Sequence, residues 1–257
     1  MKEKKFNIVI VGLGNIGINL YRHLLKNKKI IKNKTNSDFN IKYVSAKNKL
    51  KKRIVSIPKN KWLKNYLDAS IKKDVDIVIE LIGGSDGPAK KLVFNSIKNK
   101  KHVVTANKAL ISKHGNELAK LAEKNKVNLE FEASVAGGIP ILRTIKEGLA
   151  TNKIYKVYGI LNGTCNYILS EMEKTKDNFI NVLKKAQNLG YAEQGNPKLD
   201  LNGYDAFAKI RILSSLAFNK KISKKSCLME GIENIDYKDI DIASQLNYRI
   251  KLLGITE

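Results

Sequence analysis

The chain has 257 residues, 43% of them hydrophobic and 28% charged, which is typical of a soluble globular protein and excludes a disordered one. No apolar run approaches the roughly 20 residues that cross a bilayer, and residues 1–5 (MKEKK) lead directly into a strand-like run, so the sequence predicts a cytoplasmic protein without a signal peptide or a membrane partner. The formal net charge of +24 favours anionic ligands, but the lysines are scattered rather than gathered into one arm, so we expect a solvated lysine-rich surface and no nucleic-acid partner.

Residues 6–17, FNIVIVGLGNIG, predict a strand, a glycine turn and the start of a helix, in the arrangement that binds a dinucleotide. Gly12 permits the tight turn, Gly14 lets the backbone approach a pyrophosphate, and Gly17 lets the helix pack close to the strand. Amides at the N-terminus of the helix then face the phosphates. A glycine turn without a ligand is the alternative. The predicted cofactor-binding residues of this turn are Gly12, Gly14, Asn15, Ile16 and Gly17.

The second predicted strand, IKYVSA at residues 41–46, carries the signal for the type of cofactor. A site for NAD usually has an acid at the end of this strand for the ribose 2′-hydroxyl, whereas the 2′-phosphate of NADP needs a cation. Lys47 and Lys49 follow the strand, Arg53 lies nearby, and no acid stands among them. NADP is therefore the predicted cofactor, bound by Lys47, and NAD is the alternative if Lys47 is one more surface lysine.

Three further strand-like runs alternate with helical stretches in the first half of the chain. They are DVDIVIELIGG (74–84), the short β-rich start of KHVVTANKAL (101–110), which is followed by Ala106, Asn107 and Lys108, and VNLEFEASV (127–135). Pro88 is placed to open a helix between the first two runs. The alternation predicts an α/β fold with a doubly wound, mostly parallel sheet, whose ligands bind at the carboxyl ends of the strands.

Seven motifs of the chain resemble the homoserine dehydrogenase family, in the family's order and over nearly the whole length. They are VGLGNIG, ELIGG, VVTANKAL, FEASVAGGIPIL, GILNGTCNYIL, GYAE and DLNGYDAFAKIRILSSLAF. The resemblance implies a Rossmann-type nucleotide-binding domain at residues 1–132 and an α+β substrate-binding and dimerisation domain at residues 133–257. It also implies a homodimer that interconverts L-aspartate 4-semialdehyde and L-homoserine with NADPH or NADH, in threonine, methionine and isoleucine biosynthesis.

The resemblance assigns roles to individual residues as well. It implies that Lys209 is the proton donor and that Lys108 lies near the nicotinamide and the reacting carbonyl. Glu193 would hold the substrate's amino group, with Asp205 beside it. Asp200 is a further substrate-binding candidate, although it could equally cap or turn its loop. A monovalent cation such as sodium is implied, bound mainly through backbone oxygens, at Glu132, Val135, Gly137 and Ile139.

The chemistry of the residues supports part of this assignment independently. Hydride transfer to an aldehyde builds negative charge on the carbonyl oxygen, so the site needs a cation or a proton donor there. Asp205 and Lys209 are four residues apart, and on a helix they share a face and can pair, although an ordinary surface pair has the same spacing. The glycine turn before Pro140 could equally form a tight junction between domains without a cation.

Two other features of the second half have structural explanations. Asn162 or Thr164 is a candidate cap for a helix over the apolar run that follows, although the resemblance equally places this turn near substrate or cofactor. Cys165 and Cys227 lie far apart without a metal-ligand spacing, so neither a disulfide nor a zinc site is expected.

The chain departs from the family pattern in two places. The loop after Glu193 carries one extra residue in QGNPKLD, and the chain stops at RIKLLGITE, where the family's catalytic part continues. We therefore expect a truncated catalytic part. The alternative to an active dehydrogenase is a catalytically incomplete nucleotide-binding fragment, or a subunit that needs a partner chain to complete its site.

Overall fold

A parallel β-sheet lies at the centre of the N-terminal half of the chain. The computed structural model describes residues 3–195, 197–223 and 227–257. It comprises two compact units, Met1–Pro140 and Ile141–Glu257. The strands of the first unit are β1 (Lys4–Val11), β2 (Ser37–Ser45), β3 (Ile77–Glu80), β4 (His102–Thr105) and β5 (Leu129–Glu130). They lie in the order β2-β1-β3-β4-β5, and every neighbouring pair is parallel.

Helices cover both faces of this sheet. They are α1 (Asn15–Lys26), α2 (Lys28–Thr35), α3 (Asp68–Ile71), α4 (Pro88–Lys98) and α5 (Lys108–Asn125). Ile8 and Ile10 of β1 belong to a buried cluster with Tyr21 of α1. Their neighbours Val9 and Val11 point to the other face and belong to a cluster that includes α4. Because β1 is buried on both faces, its apolar residues form a continuous run.

The strand order places a topological switch between β1 and β3. The chain leaves β1 for β2 on one side and later returns to β3 on the other side. In such sheets, ligands bind in the crevice at the carboxyl ends of the two strands that flank the switch. The predicted doubly wound, Rossmann-type fold is confirmed, and Pro88 is the first residue of α4 as predicted.

The limits of β2 and β3 differ from their predictions. β2 begins at Ser37 rather than at residue 41, because its polar first residues also pair with β1. β3 ends at Glu80 rather than at residue 84. The carboxylate of Glu80 accepts hydrogen bonds from the amides of Ile82 and Gly83, which turn the chain out of the sheet.

The last strand of the sheet is much shorter than the predicted 127–135. β5 covers only Leu129–Glu130, and a 3-10 turn at Glu132–Ser134 follows it. The amide and the hydroxyl of Ser134 both donate to the carbonyl oxygen of Phe131, at 2.9 and 2.6 Å. A serine that bonds its local backbone in this way competes with the ladder of a strand.

The second unit combines helices with a two-stranded antiparallel sheet, in agreement with the predicted α+β class. Its core is centred on one face of α7, where Cys165, Ile168, Leu169 and Met172 are buried at helical spacing. The predicted cap Asn162 does begin α7. The elements are α6 (Ile141–Arg143), which continues as a π-helical turn (Thr144–Gly148), β6 (Val157–Gly159), α7 (Gly163–Thr175), α8 (Phe179–Asn188), α9 (Lys198–Leu201), α10 (Tyr204–Ala217), α11 (Tyr237–Gln245) and β7 (Gly254–Thr256).

None of the helices formed by the described residues is both long enough and apolar enough to span a bilayer.

We expect Leu92→Ala to lower the free energy of unfolding of the first unit by about 2–5 kcal/mol, because it leaves a cavity between α4 and the sheet. Leu92 is 0% exposed, whereas Leu50, the control, is 96% exposed. Leu50→Ala should change the free energy by less than about 0.5 kcal/mol. Urea titrations followed by circular dichroism measure both values, and equal losses would contradict the assignment of Leu92 to the core.

Candidate functional site

The glycine turn after β1 lies at the topological switch of the sheet. Gly12 has a φ of +104°, and a Cβ there would lie 2.3 Å from the carbonyl oxygen of Leu81, which follows β3. The amide of Gly12 donates to the carbonyl oxygen of Ser45 at the end of β2, at 2.9 Å. Only a glycine fits between these two backbone segments. The turn therefore joins the carboxyl ends of β1, β2 and β3.

The start of α1 has the features of a phosphate site. A Cβ on Gly17 would lie 1.9 Å from the carbonyl oxygen of Gly12, so the helix packs directly on the turn. A Cβ on Gly14, in contrast, would meet no atom within 4 Å. The helix ladder begins with the bond from the Ile18 amide to the Gly14 carbonyl oxygen. The amides of the preceding turn, from Asn15 to Gly17, thus have no acceptor in the helix and point beyond its end. The open space at Gly14 and these amides fit a pyrophosphate.

The loop after β2 is shaped by Arg53. Its guanidinium donates to the carbonyl oxygens of Asn48, Lys49 and Lys51 at 2.6 to 3.2 Å, and it lies 5.1 Å from the centre of the Trp62 ring. Arg53 therefore holds the loop together. Lys47 is exposed two residues beyond β2, on the side of the glycine turn where β2 pairs with β1.

Lys108 is the first residue of α5 and is half-buried. The preceding residue, Asn107, caps this helix by accepting a hydrogen bond from the amide of Leu110 at 3.1 Å. The amide nitrogen of the same Asn107 side chain donates to the carbonyl oxygen of Gly84 at 2.7 Å. The position of Lys108 is thus tied to the glycine loop that follows β3.

A lysine-carboxylate cluster lies in the second unit. The ammonium of Lys209 donates to Asp205 Oδ2 and to the carbonyl oxygen of Leu161, both at 2.7 Å. The side chain of Lys209 is 18% exposed and that of Asp205 is 4% exposed. Both residues lie on α10, so the predicted pairing at a spacing of four is confirmed. Since the pair is largely buried, it is not an ordinary surface ion pair.

Asn162 connects this cluster to the carboxylate of Asp200, a substrate-binding candidate, and sequence reasoning missed this link. Its amide nitrogen donates to Asp200 Oδ1 at 2.8 Å and to Asp205 Oδ2 at 3.0 Å, while its oxygen accepts from the amide of Cys165 at 2.8 Å. Because the oxygen of the Asn162 side chain accepts from the Cys165 amide, its nitrogen is the end that faces the two carboxylates. The sequence signal for Asn162 was that of a helix cap, and its partners are 38 and 43 residues away.

Cys165 is excluded as a nucleophile by its surroundings. Burial, together with the charges of Asp200 and Asp205, raises the pKa of its thiol to about 12. The thiol donates instead to the carbonyl oxygen of Asp200 at 3.3 Å.

Other predicted residues lie on other elements: Glu193 is in the loop between α8 and α9, and Lys108 begins α5. The side chain of Glu193 is exposed, and its backbone carbonyl accepts from Gln187 at 3.1 Å. Asn196, within the predicted insertion, lies outside the described residues. Lys108 and Lys209 belong to different units, so the expectation that both act at the reacting carbonyl stays a prediction.

The predicted cation segment forms a short turn in the first unit. The amide of Val135 donates to the carbonyl oxygen of Glu132 at 3.3 Å, and Val135 is buried. Gly137 and Ile139 are exposed. The described residues contain no group of three or more histidine, cysteine or acidic side chains that could hold a metal ion, which leaves a site built from backbone oxygens untested.

Comparisons with known proteins agree with this geometry. The family model "Homoserine dehydrogenase, NAD binding domain" matches residues 12–132, and "Homoserine dehydrogenase" matches residues 140–257. The crystal structure of an Archaeoglobus fulgidus protein assigned to the homoserine dehydrogenases matches with a TM-score of 0.87 at 30% identity. The match covers 98% of this chain and 80% of the Archaeoglobus chain. This chain belongs to the homoserine dehydrogenase family.

Longer relatives of this family are more similar in sequence. A homoserine dehydrogenase of Neisseria gonorrhoeae is 45% identical over 253 residues, which are 98% of this chain and 58% of that protein. The crystal structure of a homoserine dehydrogenase from Thiobacillus denitrificans has a TM-score of 0.89 at 40% identity, and the match covers 98% of this chain and 58% of that one. The chain thus spans less than two thirds of the length of these two homoserine dehydrogenases.

Variants of Gly14 and Gly17 distinguish the role of this turn in cofactor binding from its role in the folding of the first unit. Gly14→Ala should weaken NAD(P) binding by about tenfold or more, because its methyl group would occupy the open space that fits a pyrophosphate, and should leave stability within about 0.5 kcal/mol. Gly17→Ala should lower the free energy of unfolding by about 1–3 kcal/mol, because its Cβ would overlap Gly12. Fluorescence titration and thermal unfolding provide the two measurements. Unchanged NAD(P) binding in folded Gly14→Ala would contradict the assignment of the phosphate site.

Proposed function

We propose that this chain catalyses the reduction of L-aspartate 4-semialdehyde to L-homoserine with NADPH, a step toward threonine, methionine and isoleucine. The observation that carries the proposal is the geometry of Lys209. Two of its three N–H groups are held by Asp205 and the carbonyl of Leu161, so the third can donate to a substrate oxygen. Membership of the homoserine dehydrogenase family supports the same reaction.

The proposed reaction needs a donor at the aldehyde oxygen. The nicotinamide cofactor, when bound, supplies a hydride to the aldehyde carbon. Negative charge then builds on the oxygen, and Lys209 stabilises it and gives it a proton. Asp205 orients the ammonium, and the exposed fraction of the Lys209 side chain, 18%, gives solvent a route to return the proton. Lys108 is proposed to contribute a second positive charge near the carbonyl.

Recognition of the substrate requires groups of both signs, because the substrate carries its own ammonium and carboxylate. Glu193 is proposed to bind the ammonium, since its carboxylate is exposed and makes no ion pair with the described residues. Asp200 is held beside Asp205 through Asn162 and is proposed to complete the polar wall of this pocket.

The remaining parts of the proposal concern cofactor type, cation and assembly. Lys47 supports NADP over NAD, because it is exposed at the end of β2 where no acid follows the strand. We also propose a monovalent cation at the backbone oxygens of the segment from Glu132 to Ile139, a homodimer, and a location in the cytoplasm.

Lys209→Ala should lower turnover by about 100-fold or more, in the range typical of losing a general acid, with little change in NADP affinity. Lys185→Ala is the matched control, because it removes a lysine of the same unit that also pairs with a carboxylate, Glu171, but whose side chain is 52% exposed. Absorbance of the reduced nicotinamide, with L-homoserine and NADP as reactants, measures turnover. Cofactor binding without turnover in the unaltered chain would instead favour a catalytically incomplete nucleotide-binding subunit.

Lys47→Glu should reduce the preference for NADP over NAD by about tenfold or more, because a carboxylate repels the 2′-phosphate and can bind the 2′-hydroxyl. Lys49→Glu is the control, since it makes the same charge change two residues farther along the loop and should have a much smaller effect. Dissociation constants for both cofactors provide the ratio. Equal shifts in the two variants would mean that only the general charge of the surface matters.

A further inference from the structure

Glu80 is a buried acid to which the proposed reaction gives no role. It is the last residue of β3 and is 0% exposed. Burying a carboxylate is costly unless hydrogen bonds satisfy it. Its Oε1 accepts from the amides of Ile82 and Gly83 at 2.6 and 3.1 Å, and its Oε2 accepts from the hydroxyl of Thr105 at 2.6 Å.

Thr105 passes this interaction on to the next strand. It is the residue of β4 that stands opposite Glu80 in the sheet. Its hydroxyl oxygen accepts the amide of Asn107 at 3.0 Å, so its proton is directed to Glu80. Because every partner of Glu80 is a donor, an acceptor-only carboxylate satisfies the whole arrangement.

Asn107 closes the network. Its side chain donates to the carbonyl oxygen of Gly84 and accepts from the amide of Leu110, which caps α5 just before Lys108. The loop after β3 and the start of α5 are therefore fixed relative to each other by one continuous set of hydrogen bonds. Glu80 lies at its buried end.

The location of this network defines which part of the cofactor it can affect. The sheet order places β2, with Lys47, on one side of the glycine turn, and β3 and β4 on the other. A dinucleotide lies across the switch point with its pyrophosphate at the glycine turn. If its adenosine half lies toward β2, its nicotinamide half lies toward the ends of β3 and β4.

We propose that Glu80 is a positioning residue for the nicotinamide half of the cofactor site, acting through Thr105 and Asn107 on the glycine loop and on Lys108. This inference rests on the proposed dehydrogenase function. Glu80 itself does not touch the cofactor, because it is completely buried.

The test compares two ligands in four variants. Glu80→Gln conserves volume but replaces one acceptor with a donor, so either the hydroxyl of Thr105 or the amides of Ile82 and Gly83 lose their acceptor. Thr105→Val removes the hydroxyl, whereas Thr105→Ser retains it and is the matched control. Asn107→Ala removes both side-chain bonds of the last link. Affinities are measured by fluorescence titration for NADPH and for adenosine 2′,5′-bisphosphate, which has no nicotinamide half.

We expect Glu80→Gln, Thr105→Val and Asn107→Ala to weaken NADPH binding by about tenfold, the effect of losing a buried hydrogen bond, and Thr105→Ser to change it by less than about twofold. Affinity for adenosine 2′,5′-bisphosphate should stay within about twofold in all four, which also shows that each variant is folded. Equal loss for both ligands in Thr105→Val, or no loss for NADPH, would overturn the proposal.

The same measurements separate this inference from the proposed function. If the unaltered chain binds NADPH but does not oxidise L-homoserine, the proposed activity fails while the comparison of the two ligands still decides the role of Glu80. If Glu80→Gln does not fold, the pair Thr105→Val and Thr105→Ser gives the answer alone. In an active chain, Glu80→Gln, Thr105→Val and Asn107→Ala should also lower kcat more than they raise KM for L-homoserine.

Discussion

The first unit depends on a close contact between main-chain segments that leaves no room for a side chain. Gly12 brings the end of β1 against the carbonyl of Leu81, and Gly17 brings the first turn of α1 onto Gly12. The direction of the free amides of α1 follows from these two contacts. Hydrogen bonds through Glu80 and Asn107 then extend the fixed edge of the sheet as far as the start of α5. The result is a rigid rim of backbone around the place where a cofactor would lie.

The second unit builds its site by a different principle, since it relies on one amide side chain. Asn162 uses its oxygen to cap α7 and its nitrogen to hold Asp200 and Asp205. Because the cap fixes the orientation of the amide, the two carboxylates receive donors and not another acceptor. Asp205 can then accept from Lys209 as well. Helix formation and arrangement of the charged groups are therefore coupled in one residue.

Local features were predictable from the sequence, and long-range ones were not. The glycine spacing, the proline that opens α4 and the pair of Asp205 and Lys209 each depend on residues within one turn or one helix. The role of Asn162 depends on partners about 40 positions away, which no local pattern encodes. Glu80 was read as part of an apolar strand, because the donors that justify a buried acid come from the following loop and from β4. The shortness of β5 is an exception, since a local bond from Ser134 to Phe131, three residues earlier, closes a turn there.

The anchor that Leu161 provides for Lys209 is a carbonyl oxygen of the main chain. Every amino acid carries that oxygen, so genetic drift at position 161 cannot remove it, whatever side chain results. On this side the orientation of the ammonium is set by the main chain, and on the other side it depends on the side chain of Asp205, which Asn162 holds in place. A substitution of Leu161 would therefore act through the packing of its side chain against Gly254 and not by removing this hydrogen bond.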